Sequence, residues 1–226
     1  PKTLVPWYKA PAYIHAYGML NGGGISGRVE EANNYLCAIA LNLNCVVFSV
    51  DYRLGPEVKC PTGMHDFIDG LEDVVNKADQ FSIDSSRICI AGDSGGGWIV
   101  AGAANILASE GRSHLVKAMF IYSGMLSDET SKLEDSQMSN PFEVWMAPYL
   151  TSIYKLHAKD FQKQQSDPFL YPGRVNDVIL EKLPMTAVWT SEFDFYRRDN
   201  ETYAKRLQSV ARLIDISVMP GMSHGY

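Results

Sequence analysis

The residues best equipped for chemistry lie in Gly92-Asp93-Ser94-Gly95-Gly96. A serine at G-x-S-x-G spacing can act as a nucleophile if the chain bends sharply enough to lift its hydroxyl clear of the backbone. Glycine on either side lets such a bend close, because a side chain there would collide. At average composition the bare pattern arises by chance in roughly one chain in fifteen of this length, so its context must decide. An expected strand, Arg87–Ala91, ends directly before the pattern. A small, apolar segment, Gly95–Ser109, begins inside it and reads as a buried helix. Strand, tight turn and helix form the setting of a nucleophile elbow, with the helix N-terminus facing the developing oxyanion.

A serine alcohol needs a base, and the base needs a carboxylate to orient it. On an elbow of this kind the chain order is serine, acid, histidine. Three histidines follow Ser94: His114, His157 and His224. His114 lies in a polar loop, and His157 ends the amphipathic segment Pro141–His157. Only His224 sits just past an expected last strand, Ile214–Met219, at the strand end where parallel-sheet sites gather. Between the expected strand Met185–Thr190 and helix Arg197–Val210 lie Glu192 and Asp194, with Asp199 in the first helical turn. Glu192 abuts the strand, and Asp199 complements the helix dipole. Asp194 lies mid-loop and is preferred for reaching His224, but residue type alone leaves all three open.

Two other readings compete for the same glycines. G-D-S-G-G also surrounds the nucleophile of chymotrypsin-like proteases, but there the order is His, Asp, Ser on an all-β fold. Here a helix follows Ser94, and the early His15 lies within an expected strand. Gly22, Gly24 and Gly27 satisfy G-x-G-x-x-G between a strand and a helix, with Asp51 ending the next strand. That is the dinucleotide-binding pattern, and it leaves the serine elbow, the late acid and the late histidine unused. A glycine run after an early strand also suits an oxyanion loop, where bare backbone N–H groups approach the substrate.

Strand-like runs alternate with helical patterns along most of the chain: strand Ala12–Leu20, helix Val29–Leu43, strand Cys45–Val50, a helix from Thr62 as N-cap to about Ala78, and strand Val116–Ser123. Alternation of this kind implies a mostly parallel central sheet with helices on both faces. Residues 125–182 break the rhythm and read as an insertion in a single domain. The 226 residues suffice for one large core, and a net charge of −6 argues against nucleic acid or an anionic membrane as partner. No apolar run reaches a spanning length. Cys37, Cys45, Cys60 and Cys89 show no metal-ligand spacing, and three of them lie in apolar segments that read as core. No cofactor or metal is implied. With no visible leader the expected address is cytoplasmic, although the chain starts at Pro1 and stops at Tyr226, so both termini are expected to be truncated.

These residues, taken in order, resemble the hormone-sensitive-lipase-like esterases of the α/β-hydrolase superfamily. Asp51-Tyr52-Arg53-Leu54-Gly55-Pro56-Glu57 is similar to that family's D-Y-R-L-A-P-E block, and Gly92–Gly97 to its G-D-S-A-G-G elbow. Ser191–Asp199 resembles G-E-F-D-P-L-R-D, Met219–Tyr226 resembles Y-P-G-M-x-H-G-F, and Asp167-Pro168 matches a D-P pair. The resemblance implies an α/β-hydrolase fold and hydrolysis of short-chain carboxylic esters through an acyl-enzyme. It implies Ser94, Asp194 and His224 as the triad, and Gly22, Gly23 and the N–H of Gly95 as the oxyanion hole. It makes 125–182 a cap, with Trp145, Met146 and Tyr149 as candidate pocket contacts. The expected partner is a small-molecule ester, and a homodimer is a candidate assembly.

The chain departs from the pattern in places. Asn21 stands where the family's H-G-G-G has histidine, Phe195-Tyr196 replace Pro-Leu, and the bulky Trp98 follows the elbow glycines. Asp51, Arg53 and Glu57 read as a structural charge network, and Asp93 as structural too. Relatives that bind a small molecule without catalysis, the gibberellin receptors, have lost the triad histidine. This chain keeps it as His224.

Overall fold

A computed structural model of the chain describes residues 9–16, 22–132 and 141–225. Six strands form one sheet in the order β2-β1-β3-β4-β5-β6: β1 (Ala10–Ala16), β2 (Val46–Val50), β3 (Ile83–Asp93), β4 (Ala118–Tyr122), β5 (Met185–Phe193) and β6 (Leu213–Ser223). Every neighbouring pair is parallel. The helices are α1 (Asn33–Leu43), α2 (Thr62–Asn76), α3 (Gly95–Ser109), α4 (Pro141–His157), α5 (Asp177–Leu180) and α6 (Arg197–Ser209). A parallel sheet needs a crossover between strands, and helices supply most of these crossovers.

Alternation along the strands separates the two faces of the sheet. Ile14, Ile88, Ile90, Met119, Ile121 and Val188 are buried in one core with α2, α3 and α6. Helix α2 presents Met64, Phe67, Ile68, Leu71 and Val74 to it, the three-and-four spacing of an amphipathic helix. Helix α3 is buried from Gly95 to Ala108. Its glycines and alanines let it lie close on β3, as its composition suggests. On the other face Tyr35 of α1 meets His15, with hydroxyl to Nε2 at 2.8 Å. Beyond α1 that face is partly open, with Trp189 of β5 exposed. A cavity of about 400 Å³ there is lined by Tyr13, Tyr35, Phe120 and Trp189 among others.

Several elements differ from their sequence outlines. The first turn of the expected Val29–Leu43 helix is a 3-10 segment, Val29–Ala32. The cap of α2 falls on Pro61, with no side-chain bond, and Thr62 is the first helical residue. Strand β3 starts earlier than expected, and β5 and β6 run on to Phe193 and Ser223. Polar residues at strand ends hide this continuation, because ladder pairing with a neighbour (Phe193 opposite Ser223) and not local propensity sustains it. Arg53 reaches outside its own block. Its guanidinium and its backbone N–H both donate to Asp66 of α2. The four cysteines are free, and Cys37 is exposed on α1, not in the core. Among the described residues no helix is long and apolar enough to cross a membrane.

Candidate active site

The site is built at the C-terminal ends of three strands. Strand β3 ends at Asp93, and the chain turns through Ser94 into α3. Ser94 has φ 50° and ψ −118°, a backbone state that costs a non-glycine residue on the order of 1–3 kcal/mol and needs firm support. The support is visible. Ser94 N–H donates to Tyr122 O at 3.0 Å, and Ser94 O accepts from the N–H groups of Trp98 and Met125 at 3.2 and 3.1 Å. Glycine is required around it. A Cβ on Gly92 would lie 2.3 Å from Gly96 O, and one on Gly97 2.8 Å from the Gly124 Cα.

Parallel pairing of β5 with β6 delivers the other two groups. Phe193 and Ser223 are register partners, so the next residues, Asp194 and His224, leave the sheet side by side. His224 Nδ1 lies 3.0 Å from Asp194 Oδ1, and His224 Nε2 lies 2.9 Å from Ser94 Oγ. A carboxylate only accepts, so Nδ1 carries hydrogen and the bare Nε2 receives the serine proton's hydrogen bond. All three groups are buried: Ser94 is 6%, Asp194 0% and His224 2% exposed. Asp194 Oδ1 also accepts from Tyr196 N–H at 2.8 Å, and Thr190 Oγ1 lies 3.5 Å from Oδ2. The rings of Phe195 and Tyr196 pack against the imidazole, with centroids 4.3 and 5.6 Å away. The two residues that depart from the family pattern after the acid thus wall the histidine.

The three carboxylates of the 192–199 segment do three different things. Asp194 meets His224. Glu192 lies within β5, and its Oε2 accepts from Gly221 N–H at 2.7 Å, tying down the turn that carries His224. Asp199 is buried in the first turn of α6, where its Oδ1 accepts from Ser127 Oγ at 2.6 Å and Glu129 N–H at 3.1 Å. Burial pushes the Asp199 carboxyl up to about 8. Its Oδ2 is also buried, without a hydrogen-bond partner among the described residues. Asp93 faces the other way, 3.3 Å from His15 Nε2.

Of the glycine loop, Asn21 lies outside the described residues. Gly22 begins the turn, its carbonyl accepting from Ile25 and Ser26 N–H at 2.6 and 3.1 Å. Gly23 and Gly24 have φ of 47° and 73°. They abut the elbow so closely that a Cβ on Gly95 would sit 2.4 Å from Gly24 N. That approach joins the loop to the serine, and it brings Gly24 to the site, a residue not singled out for it from the sequence. Helix α4 lies against the loop through Ile153, whose Cγ2 would be 2.9 Å from a Cβ on Gly23. Trp145 and Tyr149, eight and four residues earlier on α4, are exposed, with rings 6.1 Å apart. Met146 is partly buried against the core. Trp98 fits because its indole N–H donates to Leu170 O at 3.1 Å while its ring packs on His157. His157 itself was visible in the sequence only as a histidine at a segment's end, with no local pattern to pair it with glycines more than a hundred residues away.

Comparison with known proteins agrees with this fold. A family model described as alpha/beta hydrolase fold matches residues 13–226. Carboxylesterase NlhH of Mycobacterium tuberculosis is 30% identical over 226 residues, covering 96% of this chain and 66% of its own length. An arylesterase of Saccharolobus solfataricus is 30% identical over 194 residues, covering 86% of this chain and 61% of its own. The chain thus spans a little under two thirds of the length of these relatives. Among solved structures, the carboxylesterase EstE1, cloned from a metagenomic library, matches with a TM-score of 0.81 at 27% identity, covering 96% of this chain and 72% of its own. An esterase of Pyrobaculum calidifontis matches at 0.83 and 28%, covering 96% and 69%.

Proposed function

This chain belongs to the α/β-hydrolase-fold family, and we propose that it is a carboxylesterase-type serine hydrolase cleaving short-chain esters through an acyl-enzyme. The observation that carries the reading is the unbroken relay from Ser94 through His224 to Asp194, with contacts of 2.9 and 3.0 Å. In the reaction His224 Nε2 takes the Ser94 proton as Oγ adds to the ester carbonyl. The charge passes to the carbonyl oxygen, held by backbone N–H groups of the Gly23–Gly24 loop and of Gly95. Collapse expels the alcohol, which receives its proton from His224. Water, deprotonated by the same histidine, then attacks the acyl-enzyme and releases the acid. Asp194 keeps Nδ1 protonated and stabilises the imidazolium throughout.

The 125–182 segment serves as the cap in this reading. Trp145, Tyr149 and Ile153 recur every four residues on α4, hence along one helix face, and Ile153 touches the glycine loop. That stripe is proposed to flank the entrance for the apolar parts of the ester, with Met146 behind it.

The test is direct. Full-length protein should release p-nitrophenol from acetate and butyrate esters at about pH 8, and a fluorophosphonate should label Ser94. Ser94→Ala should lose both. A folded wild type that neither turns over these esters nor takes the label would sink the proposal.

A further inference from the structure

The glycine loop is held by a residue far away in sequence. His157, at the end of α4, is 2% exposed, and its Nε2 lies 2.6 Å from Gly23 O. A carbonyl only accepts, so Nε2 carries the hydrogen. The ring is wedged: its centroid is 4.3 Å from that of Trp98, and a Cβ on Gly24 would come within 3.0 Å of its Cε1. A Cβ on Gly55 would come within 2.6 Å of its Nδ1. Gly55 falls in the block whose family pattern carries alanine at that place. The helix end that presents the ring is pinned as well. His157 O accepts from Cys60 N–H at 2.9 Å, and Lys59 Nζ donates to Leu156 O at 2.7 Å.

The orientation has a consequence at the serine. In a trans peptide the C=O and N–H point in opposite directions. Fixing Gly23 O on His157 therefore turns the Gly24 N–H away from His157. Gly24 N is the atom lying 2.4 Å from where a Gly95 Cβ would stand. The next carbonyl, Gly24 O, is held in turn by Gly55 N–H at 2.9 Å. The carbonyls of Gly23 and Gly24 are thus each held by a fixed donor, His157 and Gly55 N–H.

We propose that His157 is a positioning residue for ester hydrolysis: by bonding Gly23 O it aims the Gly24 N–H at the oxyanion site beside Ser94, and Gly55 stays small to admit its ring. The assignment rests on the serine-hydrolase reading above. Burial also lowers the His157 pKa, which favours a neutral ring donating from Nε2.

The test compares wild type, His157→Gln, His157→Phe and Gly55→Ala in the full-length protein. It reads kcat and KM on p-nitrophenyl butyrate, and the affinity of a trifluoromethyl ketone whose Ser94 adduct presents an oxyanion. His157→Phe keeps a ring but no donor. It should lower kcat about 10- to 100-fold with KM within about threefold, and weaken the ketone by a similar factor. His157→Gln, which retains an N–H donor, should recover most of that loss, and Gly55→Ala should behave like a milder His157→Phe. A folded His157→Phe with kcat within about twofold of wild type, or a glutamine variant no better than phenylalanine, would overturn the assignment. If His157→Phe does not fold, Gly55→Ala decides: unchanged kcat overturns the assignment and reduced kcat at steady KM supports it. A wild type inactive on every ester fails at the earlier reading and takes this one with it, whereas an active wild type with indifferent variants fails here alone.

Discussion

Among the individual residues, the three carboxylates near the end of the chain make the sharpest case, because their spacing differs little and their roles differ completely. Asp194 is the one whose oxygen reaches His224. Asp194→Asn should leave the fold intact and lower kcat by about 10⁴-fold, since the amide can donate to Nδ1 and favours the wrong tautomer. Glu192 acts one step further out by accepting from Gly221 N–H. Glu192→Ala should lower kcat by about tenfold or less, and Glu192→Gln, which still offers a carbonyl acceptor, should restore most of it. Steady-state kinetics on one aryl ester would separate these effects, and equal losses in Asp194→Asn and Glu192→Ala would contradict the division of roles.

Between elements, the elbow depends on backbones approaching without side chains and on one buried amide. Asn200 of α6 accepts from Gly124 N–H at 3.0 Å through Oδ1 and donates to Gly124 O at 2.9 Å through Nδ2. It clamps α6 onto the loop beside Ser94. Asn200→Leu would leave two buried backbone groups unpaired and should cost about 2–4 kcal/mol in denaturant unfolding. Two glycines ten residues apart, one at the elbow and one inside α3, make a second contrast. Gly92→Ala drives a Cβ to 2.3 Å from backbone, whereas Gly102→Ala meets the flexible end of Met64. The first should abolish folding or cost more than about 3 kcal/mol. The second should stay within about 1–2 kcal/mol, as gained helix propensity offsets the repacking. Melting temperatures of the two variants check the ranking.

Across the whole molecule, Asp199 couples stability to pH. It bridges α6 to the 127–129 loop with its carboxyl buried and pushed up to about 8. A folded-state value above the unfolded one, near 3.9, means that the folded protein binds the proton more tightly. The contribution is fully present below about pH 4 and is lost progressively as pH rises towards and through about 8. Asp199→Asn mimics the neutral acid and removes this dependence. Its melting temperature should exceed that of wild type at pH 8 by several degrees, at about 2–4 °C per kcal/mol for a chain of this size, and the gap should narrow towards pH 5. A gap that stayed constant over that range would show that Asp199 does not titrate in the folded state.

The order of chemistry along the chain was legible without coordinates. Gly92–Gly96 declared a sharp turn because only glycine permits it, and the strand before and helix after followed from local apolar patterning. Serine, acid and histidine appeared in the order that a parallel sheet then brings together at its strand ends. What the sequence left open was which acid serves, because Glu192, Asp194 and Asp199 all lie within a few residues of one strand end. The register of β5 on β6, with Phe193 and Ser223 as partners, is what sets Asp194 rather than its neighbours against His224. Local pattern was equally silent about His157. Its bond to Gly23 spans 134 residues, and no periodicity connects positions that only the packing of α4 against the glycine loop brings into contact. Local stiffness and patterning travel along the chain and can be read there, whereas contacts between distant segments exist only once the core has closed.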